Sequence, residues 1–432
     1  MASLGLQNVA ALLQERVLST AKFIGENEAP FFKYIMSLKK GKITEEGMRI
    51  PFQTAEDGGD TYFTYADSSF RPYIPAEYDA MRVYPARFAK SLQFTGEMLR
   101  ILRNGLATEG QIGSMAAKTE ESAKSSRKIL NRHFHGDGTG TLCISQSAIG
   151  ATGVATLAGM YVTSGTSAHT STKGTSWLKK NEIYQAINPA TDAVRGIFTV
   201  LTPGKRTCQI NVTSGTVASG DLIVLFLSYK KVPVGIRLLA NFNNRIMQNF
   251  NTANAADMNT PVIDNGGNPI SPAAFSAAKT LVQVFNNDAM QDRGRLIIMT
   301  PGHNSTLVNQ AFQYRSYTNP RGNETVYGVP SKYVDADGDI HFLDADAPDD
   351  QIRILDANSY HVAESMPWGA YDDDGQEFRM LFGTYNAGSD EWMKAIGWQG
   401  QLYKDGRALS DVVITNIAHS GADYITQTTV SP

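Results

Sequence analysis

Residues 48 to 94 carry almost no helical periodicity, and they run directly into a stretch, about 107 to 135, that is patterned as one long helix. No other feature constrains the fold as much. The extended part holds Pro51, Pro72, Pro75 and Pro85 among aromatic residues, with Gly58-Gly59 predicted as the turn between two strand-like arms. A two-stranded ribbon is marginally stable in water, so Phe52, Tyr62, Phe63, Tyr65, Phe70 and Tyr73 need cover. Either the chain's own core supplies it, as for an ordinary edge hairpin, or a neighbouring subunit does.

The helix carries its own punctuation. Thr108 and Gln111 are spaced as a capping box, Glu109 falls in the first turn, and Lys124, Arg127, Lys128 and Arg132 crowd the end before Gly136. Gly136-Asp-Gly-Thr-Gly then reads as a C-cap and hinge. At 1.5 Å per residue the helix spans about 40 Å, far beyond the usual three turns. Its inner stripe, Ile112, Met115, Thr119, Ala123, Ser126, Leu130 and Phe134, has small residues at the middle. That predicts a lightly buried spine on a thin plate.

With 432 residues, 42% hydrophobic and 19% charged, the chain can bury two or three cores and is too apolar to be disordered. The formal net charge of -3, with no extended basic run, argues against strong attraction to a phosphate backbone and leaves nucleic acid as a weakly held neighbour. Lys33, Lys39, Lys40 and Lys42 form the densest basic cluster and read as a solvated surface. Cys143 and Cys208 are too few for a disulfide framework and lie in no metal-ligand spacing, which suits a reducing compartment. No apolar run approaches the ~20 residues of a membrane span. The opening Met-Ala-Ser-Leu-Gly-Leu-Gln lacks a signal-peptide pattern, so the protein is expected to stay in the cytoplasm where it is made.

Along the chain, Leu6, Val9, Leu13 and Val17 mark an amphipathic N-terminal arm ending near Pro30. From 141 to 178 the only formally charged residue is Lys173, which signals a β-rich, separately folded insert. Its continuation through Arg195-Gly-Ile-Phe-Thr-Val-Leu, Cys208-Gln-Ile-Asn-Val and Asp221-Leu-Ile-Val-Leu-Phe has barrel-like spacing. The last two hundred residues mix helices and strands: Ser271-Pro272 opens a helix through about Phe285, Leu296-Ile-Ile-Met-Thr is a buried strand, and short strands recur at Ile340, Gln351, Phe378 and Val412.

Motifs that carry chemistry are missing from the sequence. It has no phosphate loop, zinc helix, nucleophile elbow or dinucleotide fingerprint. His133 and His135, two apart on a helix, point to different faces, so with Asp137 they are not assigned a metal. Asp335-Ala-Asp337-Gly-Asp339 resembles a calcium loop but has Ile340 at the sixth position and Asp346 at the twelfth, and reads as a turn. Asp372-Asp373-Asp374-Gly375 is likewise a turn. No catalytic, cofactor-binding or metal residue is assigned, and no cofactor.

This order of zones resembles the major capsid proteins of tailed double-stranded DNA phages, with the Hong Kong 97-type fold. The resemblance covers nearly the whole chain and rests on order, since Met299-Thr-Pro-Gly-His-Asn and Tyr327-Gly-Val-Pro, which look like the axial domain, are loose motifs. It implies an α+β subunit with an N-terminal arm (1–45), an extended loop (46–105), the spine helix of a peripheral domain (106–139), a β-rich inserted domain (140–234), and an axial domain with returning peripheral-domain strands (235–432). The insert, Leu157-Ala-Gly-Met160 through Ser219-Gly-Asp-Leu-Ile, looks like one that some members carry.

The resemblance further implies assembly without catalysis: pentamers and hexamers in an icosahedral shell, a virion location, a portal, possible decoration proteins, and weak nonspecific contact with packaged DNA. Some members crosslink through an extended-loop lysine, but here no lysine occurs between Lys42 and Lys90, so a noncovalent shell is expected. No long charged coiled-coil segment precedes the arm, which suggests a separate scaffolding protein. Two alternatives stand beside this reading: an encapsulin-like compartment shell, and a glycan-binding or hydrolytic protein using Trp177 and Tyr184 of the insert.

Overall fold

Why the long helix ends where it does explains most of the architecture, because three separately cored regions converge on its last turns. The computed structural model describes residues 29–38, 40–55, 58, 72–95, 109–159, 177–204, 207–240, 246–247, 250–251, 260–285, 295–316, 340–348, 350–370, 379–380, 391–404 and 411–418. The first half of the chain runs α1 (Pro30–Ser37), β1 (Lys40–Lys42), β2 (Met48–Ala55), β3 (Glu77–Val83), β4 (Ala86–Thr95), α2 (Glu109–His135), β5 (Thr141–Ser145), β6 (Thr152–Gly159), β7 (Ile183–Ile187), β8 (Val194–Pro203), β9 (Thr207–Gly215) and β10 (Leu222–Leu225). The second half runs α3 (Ile236–Leu239), β11 (Ile246–Met247), β12 (Phe250–Asn251), β13 (Val262–Asp264), α4 (Pro272–Phe285), β14 (Arg295–Met299), α5 (Pro301–Ser316), β15 (Ile340–Leu343), β16 (Ile352–Asp356), β17 (Tyr360–Ala370), β18 (Arg379–Met380), β19 (Glu391–Lys404) and β20 (Val412–Thr415). The fold class is α+β.

The 27 residues of α2 match the long helix read from the pattern, while its capping residue Thr108 lies outside the described residues. Its burial does not match. The second half is enclosed nearly all round, with Ala123, Ser126, Arg127, Ile129, Leu130, Asn131, Arg132, His133, Phe134 and His135 all buried. The side chains of 109–119 lie outside the described residues, and over that second half the expectation of a lightly buried helix fails. The cause is α1. Sequence reading ended an arm near Pro30, but proline's fixed φ suits the first turn of a helix, and Pro30 opens one whose Phe31, Phe32 and Ile35 are buried. The Phe32 N–H donates to Asn131 Oδ1 (2.9 Å), and the Phe32 and Phe134 rings sit 6.1 Å apart.

One large sheet has five strands, in the order β1, β17, β19, β18, with β4 also paired along β19. β19 was missed in the sequence because Gly397 and Gly400 interrupt it and read as breakers. Gly400 is there for closeness: a Cβ would lie 2.6 Å from Trp398 Cζ2 and 2.7 Å from the Ala363 carbonyl oxygen. This sheet, α1, the end of α2 and the base of the β2–β3 hairpin share one core that includes Ile50, Met81, Val83, Leu130, Phe134, Val362, Trp398 and Leu402.

A second five-stranded sheet, in the order β13, β20, β16, β14, β15, mixes parallel and antiparallel pairs. β14 and β16 are buried at every residue, their charged Arg295, Arg353 and Asp356 included, and Phe275, Val282 and Leu307 of α4 and α5 share its core. The Ser271 hydroxyl accepts from the Ala274 N–H (3.1 Å) at the start of α4, and the Thr300 hydroxyl accepts from the His303 N–H (3.3 Å) at α5. The two sheets are tied by the fully buried Lys404–Asp411 ion pair. Asp411 also accepts from the Tyr360 hydroxyl (2.7 Å) and the Asp356 N–H (2.9 Å).

Between α2 and α3 the chain leaves to form a closed antiparallel barrel, in the order β10, β5, β6, β9, β8, β7. Closure removes the exposed edges of a sheet. The barrel has its own core, including Leu142, Tyr184, Phe198, Val200, Ile210 and Ile223. Cys143 and Cys208 are free thiols buried within it, and burial pushes the Cys208 thiol up to about 11. The chain exits where it entered: the Lys230 N–H donates to the Thr139 carbonyl (3.0 Å) and the Arg237 N–H to that of Gly136 (3.1 Å). Gly138 (φ 83°) and Gly140 (φ 85°), within the segment expected as cap and hinge, take the left-handed conformation.

Candidate functional site

The polar residues of α2 have found partners rather than ligands. Asn131 Nδ2 donates to Asp344 Oδ2 and to Asp346 Oδ2, each at 2.8 Å, and His135 Nε2 lies 3.0 Å from Asp344 Oδ2. Arg132 donates to the Leu142 carbonyl (3.1 Å), and its guanidinium sits 4.0 Å from the Trp177 ring centre. The Trp177 indole N–H in turn donates to Asp346 Oδ1 (2.9 Å). One buried network thus joins the helix, the barrel and the loop after β15. Lys179 adds a further tie by donating to the Ser125 hydroxyl.

Charge states follow from this packing. Burial alone would raise Asp344, but the His135 hydrogen bond and charge, the Asp346 N–H and the Asn131 amide outweigh it and hold the carboxyl at about 2. His133, by contrast, is driven down to about 3 by burial and by the neighbouring Arg132, and is neutral at pH 7. Burial, then the charges of Lys90 and Lys128, take Lys179 to about 8, with Glu182 opposing.

The residues singled out from sequence divide clearly. Trp177 and Tyr184 are both buried, and the Tyr184 hydroxyl accepts from the Lys179 N–H (2.8 Å) while its ring stacks on Phe198. Neither offers a face to solvent, which removes the aromatic platform that the glycan-binding reading needs. His133 and His135 part company as the helical spacing predicts, and Asp137 accepts from the Thr139 N–H and hydroxyl. Asp335, Asp337, Asp339, Asp372, Asp373, Asp374 and Tyr327 lie outside the described residues. Among the described residues no group of three or more His, Cys, Asp or Glu side chains is placed to hold a metal, and no helix is long and apolar enough to cross a membrane.

What stands without a partner is apolar. Among the described residues β2 and β3 pair only with each other, from Met48 opposite Val83 to Ala55 opposite Glu77, and Gly58 bridges Ile74. That bridge corrects the expected turn at Gly58-Gly59: Gly58 still belongs to the paired part of the arm. The base is anchored by Ile50, Met81 and Val83. Beyond it Tyr73, Ile74 and Tyr78 are 69%, 60% and 71% exposed, between exposed Pro72, Pro75, Glu77 and Asp79. Tyr73 is thus uncovered as the sequence suggested, while Phe52, Tyr62, Phe63, Tyr65 and Phe70 fall outside the described side chains. Pro85 ends the arm, and β4 beyond it belongs to the large sheet.

At the base of this arm is a cavity of about 580 Å³. Its walls come from 82–86 between β3 and β4, from 137–139 after α2, from the chain leaving the barrel at 230–234, and from Leu238 and Gln401. Arg82, Lys230 and Lys231 line it with a single carboxylate, Asp137.

No family model and no curated protein matches the chain. Among solved structures it is similar to the capsid asymmetric unit of cyanophage A-1(L), at 9% identity and a TM-score of 0.44 over 91% of this chain and 93% of that one. It is also similar to the capsid of a native GTA particle (11%, TM-score 0.42, 90% and 91%) and to the capsid asymmetric unit of cyanophage Pam1 (11%, TM-score 0.42, 91% and 93%). Likenesses this distant leave the function to be argued from the chain's own residues.

Proposed function

We propose that this protein is a shell subunit, the major capsid protein of a tailed double-stranded DNA phage with a Hong Kong 97-type fold. The observation that carries this reading is the β2–β3 arm, anchored at its base and uncovered along its outer part, because an exposed apolar ribbon of this kind needs a second surface. The order of elements supports it as well. A paired arm, a 27-residue helix, a sheet that takes strands from both ends of the chain, and a second sheet with its own helices match the zones expected of such a subunit.

In this reading the helix, β4, β17 and β19 form the peripheral part, the second sheet with α4 and α5 forms the axial part around which pentamers and hexamers gather, and the barrel is the inserted domain. The shell is held without covalent links through the arm, scaffolding comes from another protein, and DNA is enclosed by weak contacts. Negative-stain electron microscopy with light scattering, on the chain alone and with a scaffolding protein, tests this. Capsomers or closed shells are the expected result. A compact monomer under every condition would overturn it, and shells holding a cellular protein in place of DNA would point to a storage compartment. A ladder of linked subunits on a denaturing gel of mature particles would refute the noncovalent shell alone.

A further inference from the structure

We propose that the cavity at the base of the arm receives the Glu77-Tyr78-Asp79 segment of a second copy of this chain. The inference rests on the shell reading, since it requires a neighbouring copy, and it names the contact by which one copy's arm is held.

The cavity has the volume of a side-chain or small-ligand site, with apolar walls and a basic lining. Val83, Pro85, Val234 and Leu238 make the wall apolar, and the half-exposed Tyr84 ring also faces it. Arg82 and Lys231, both exposed, outweigh Asp137, whose carboxylate is already engaged by Thr139. Gln401, a buried residue, closes the inner wall. The fitting occupant is an aromatic side chain flanked by acids.

Among the described residues the exposed part of the arm offers two tyrosines. Tyr73 is flanked by Pro72 and Ile74 and brings no charge, whereas Tyr78 lies between the carboxylates of Glu77 and Asp79. Charge complementarity selects Tyr78. Tyr78 cannot fill the cavity of its own chain. Tyr78 and Val83 lie on one strand held straight by its ladder to β2, so five residues at about 3.3 Å each put Tyr78 roughly 17 Å from the wall that Val83 lines.

Two single variants, Tyr78→Cys and Lys231→Cys, test this when co-assembled into mixed particles and oxidised, because a bond between the two introduced positions can then form only between copies. Cys143 and Cys208 are buried and give little background. The expected result is a dimer band on a non-reducing gel of mixed particles, absent from particles of either variant alone. Mixed particles that assemble without this band overturn the docking and leave the shell reading intact. So does a band obtained when Tyr73→Cys replaces Tyr78→Cys and not otherwise. Chains that never assemble, wild type included, overturn both proposals.

Discussion

The barrel and the arm are both antiparallel β-structure, yet they solve the same problem in opposite ways. Six strands in the barrel pair in a closed ring, so each edge has a partner within the chain and the inward side chains fill a core of their own. Two strands in the arm pair, among the described residues, only with each other, and beyond the base at Ile50, Met81 and Val83 their Tyr73, Ile74 and Tyr78 are exposed. Strand propensity is ample in both. What differs is whether the chain returns to close the surface, and the element that fails to close is the one available to a neighbour.

Perturbing the barrel should therefore change the stability of the isolated chain, and perturbing the arm should change only association. Phe198→Ala removes a fully buried ring stacked on Tyr184 and is expected to lower stability by about 3–5 kcal/mol, read by denaturant unfolding at any protein concentration. An equal effect on assembly with no loss of stability would contradict the self-contained barrel.

Acid should next loosen the region where the barrel joins the helix. His133 has a folded pKa of about 3, below its ordinary 6.5, so its neutral form stabilises above pH 6.5 and that contribution is lost as pH falls toward 3. The loss is on the order of 5 kcal/mol, given ~1.4 kcal/mol per pKa unit. Asp344, held at about 2 against 3.8, retains its contribution above pH 3.8 and loses it as pH falls toward 2, on the order of 2 kcal/mol more. Unfolding measured from pH 7 to pH 3 should show the first loss, and His133→Gln should flatten it; an unchanged slope in that variant would refute the assignment.

Smaller still, Trp177→Phe keeps the ring under Arg132 but removes the donor to Asp346, at a cost of about 1.5–3 kcal/mol in the same assay. Tyr78→Ala should shift the stability of the dilute chain by no more than about 0.5 kcal/mol, since its side chain is 71% exposed, while weakening self-association in light scattering. A large loss of monomer stability from Tyr78→Ala would show that the arm, like the barrel, is held by its own chain.

Elements written by local pattern were legible in advance: α2 from its long run and basic end, α4 from Ser271-Pro272, and β14, β16 and β20 as short strands rich in Ile, Leu and Val. β19 was not, because its glycines serve close approach to Trp398 and Ala363, a reason that exists only once the sheet is built. The buried network was also illegible. Asn131 and Asp344 are more than two hundred residues apart, and nothing local to either says that they meet.

The order of residues by itself determined the extended arm, the long helix after it, the uncharged β-rich stretch and the mixed remainder, because period, proline and glycine act within a few residues of chain. Tertiary structure alone decided which surfaces were spent. It enclosed the second half of α2, buried Trp177 and Tyr184 so that neither can act as a platform, closed the barrel, and left Tyr73, Ile74 and Tyr78 outside. Burial is a property of what returns in space, and a pattern read along the chain carries no record of that.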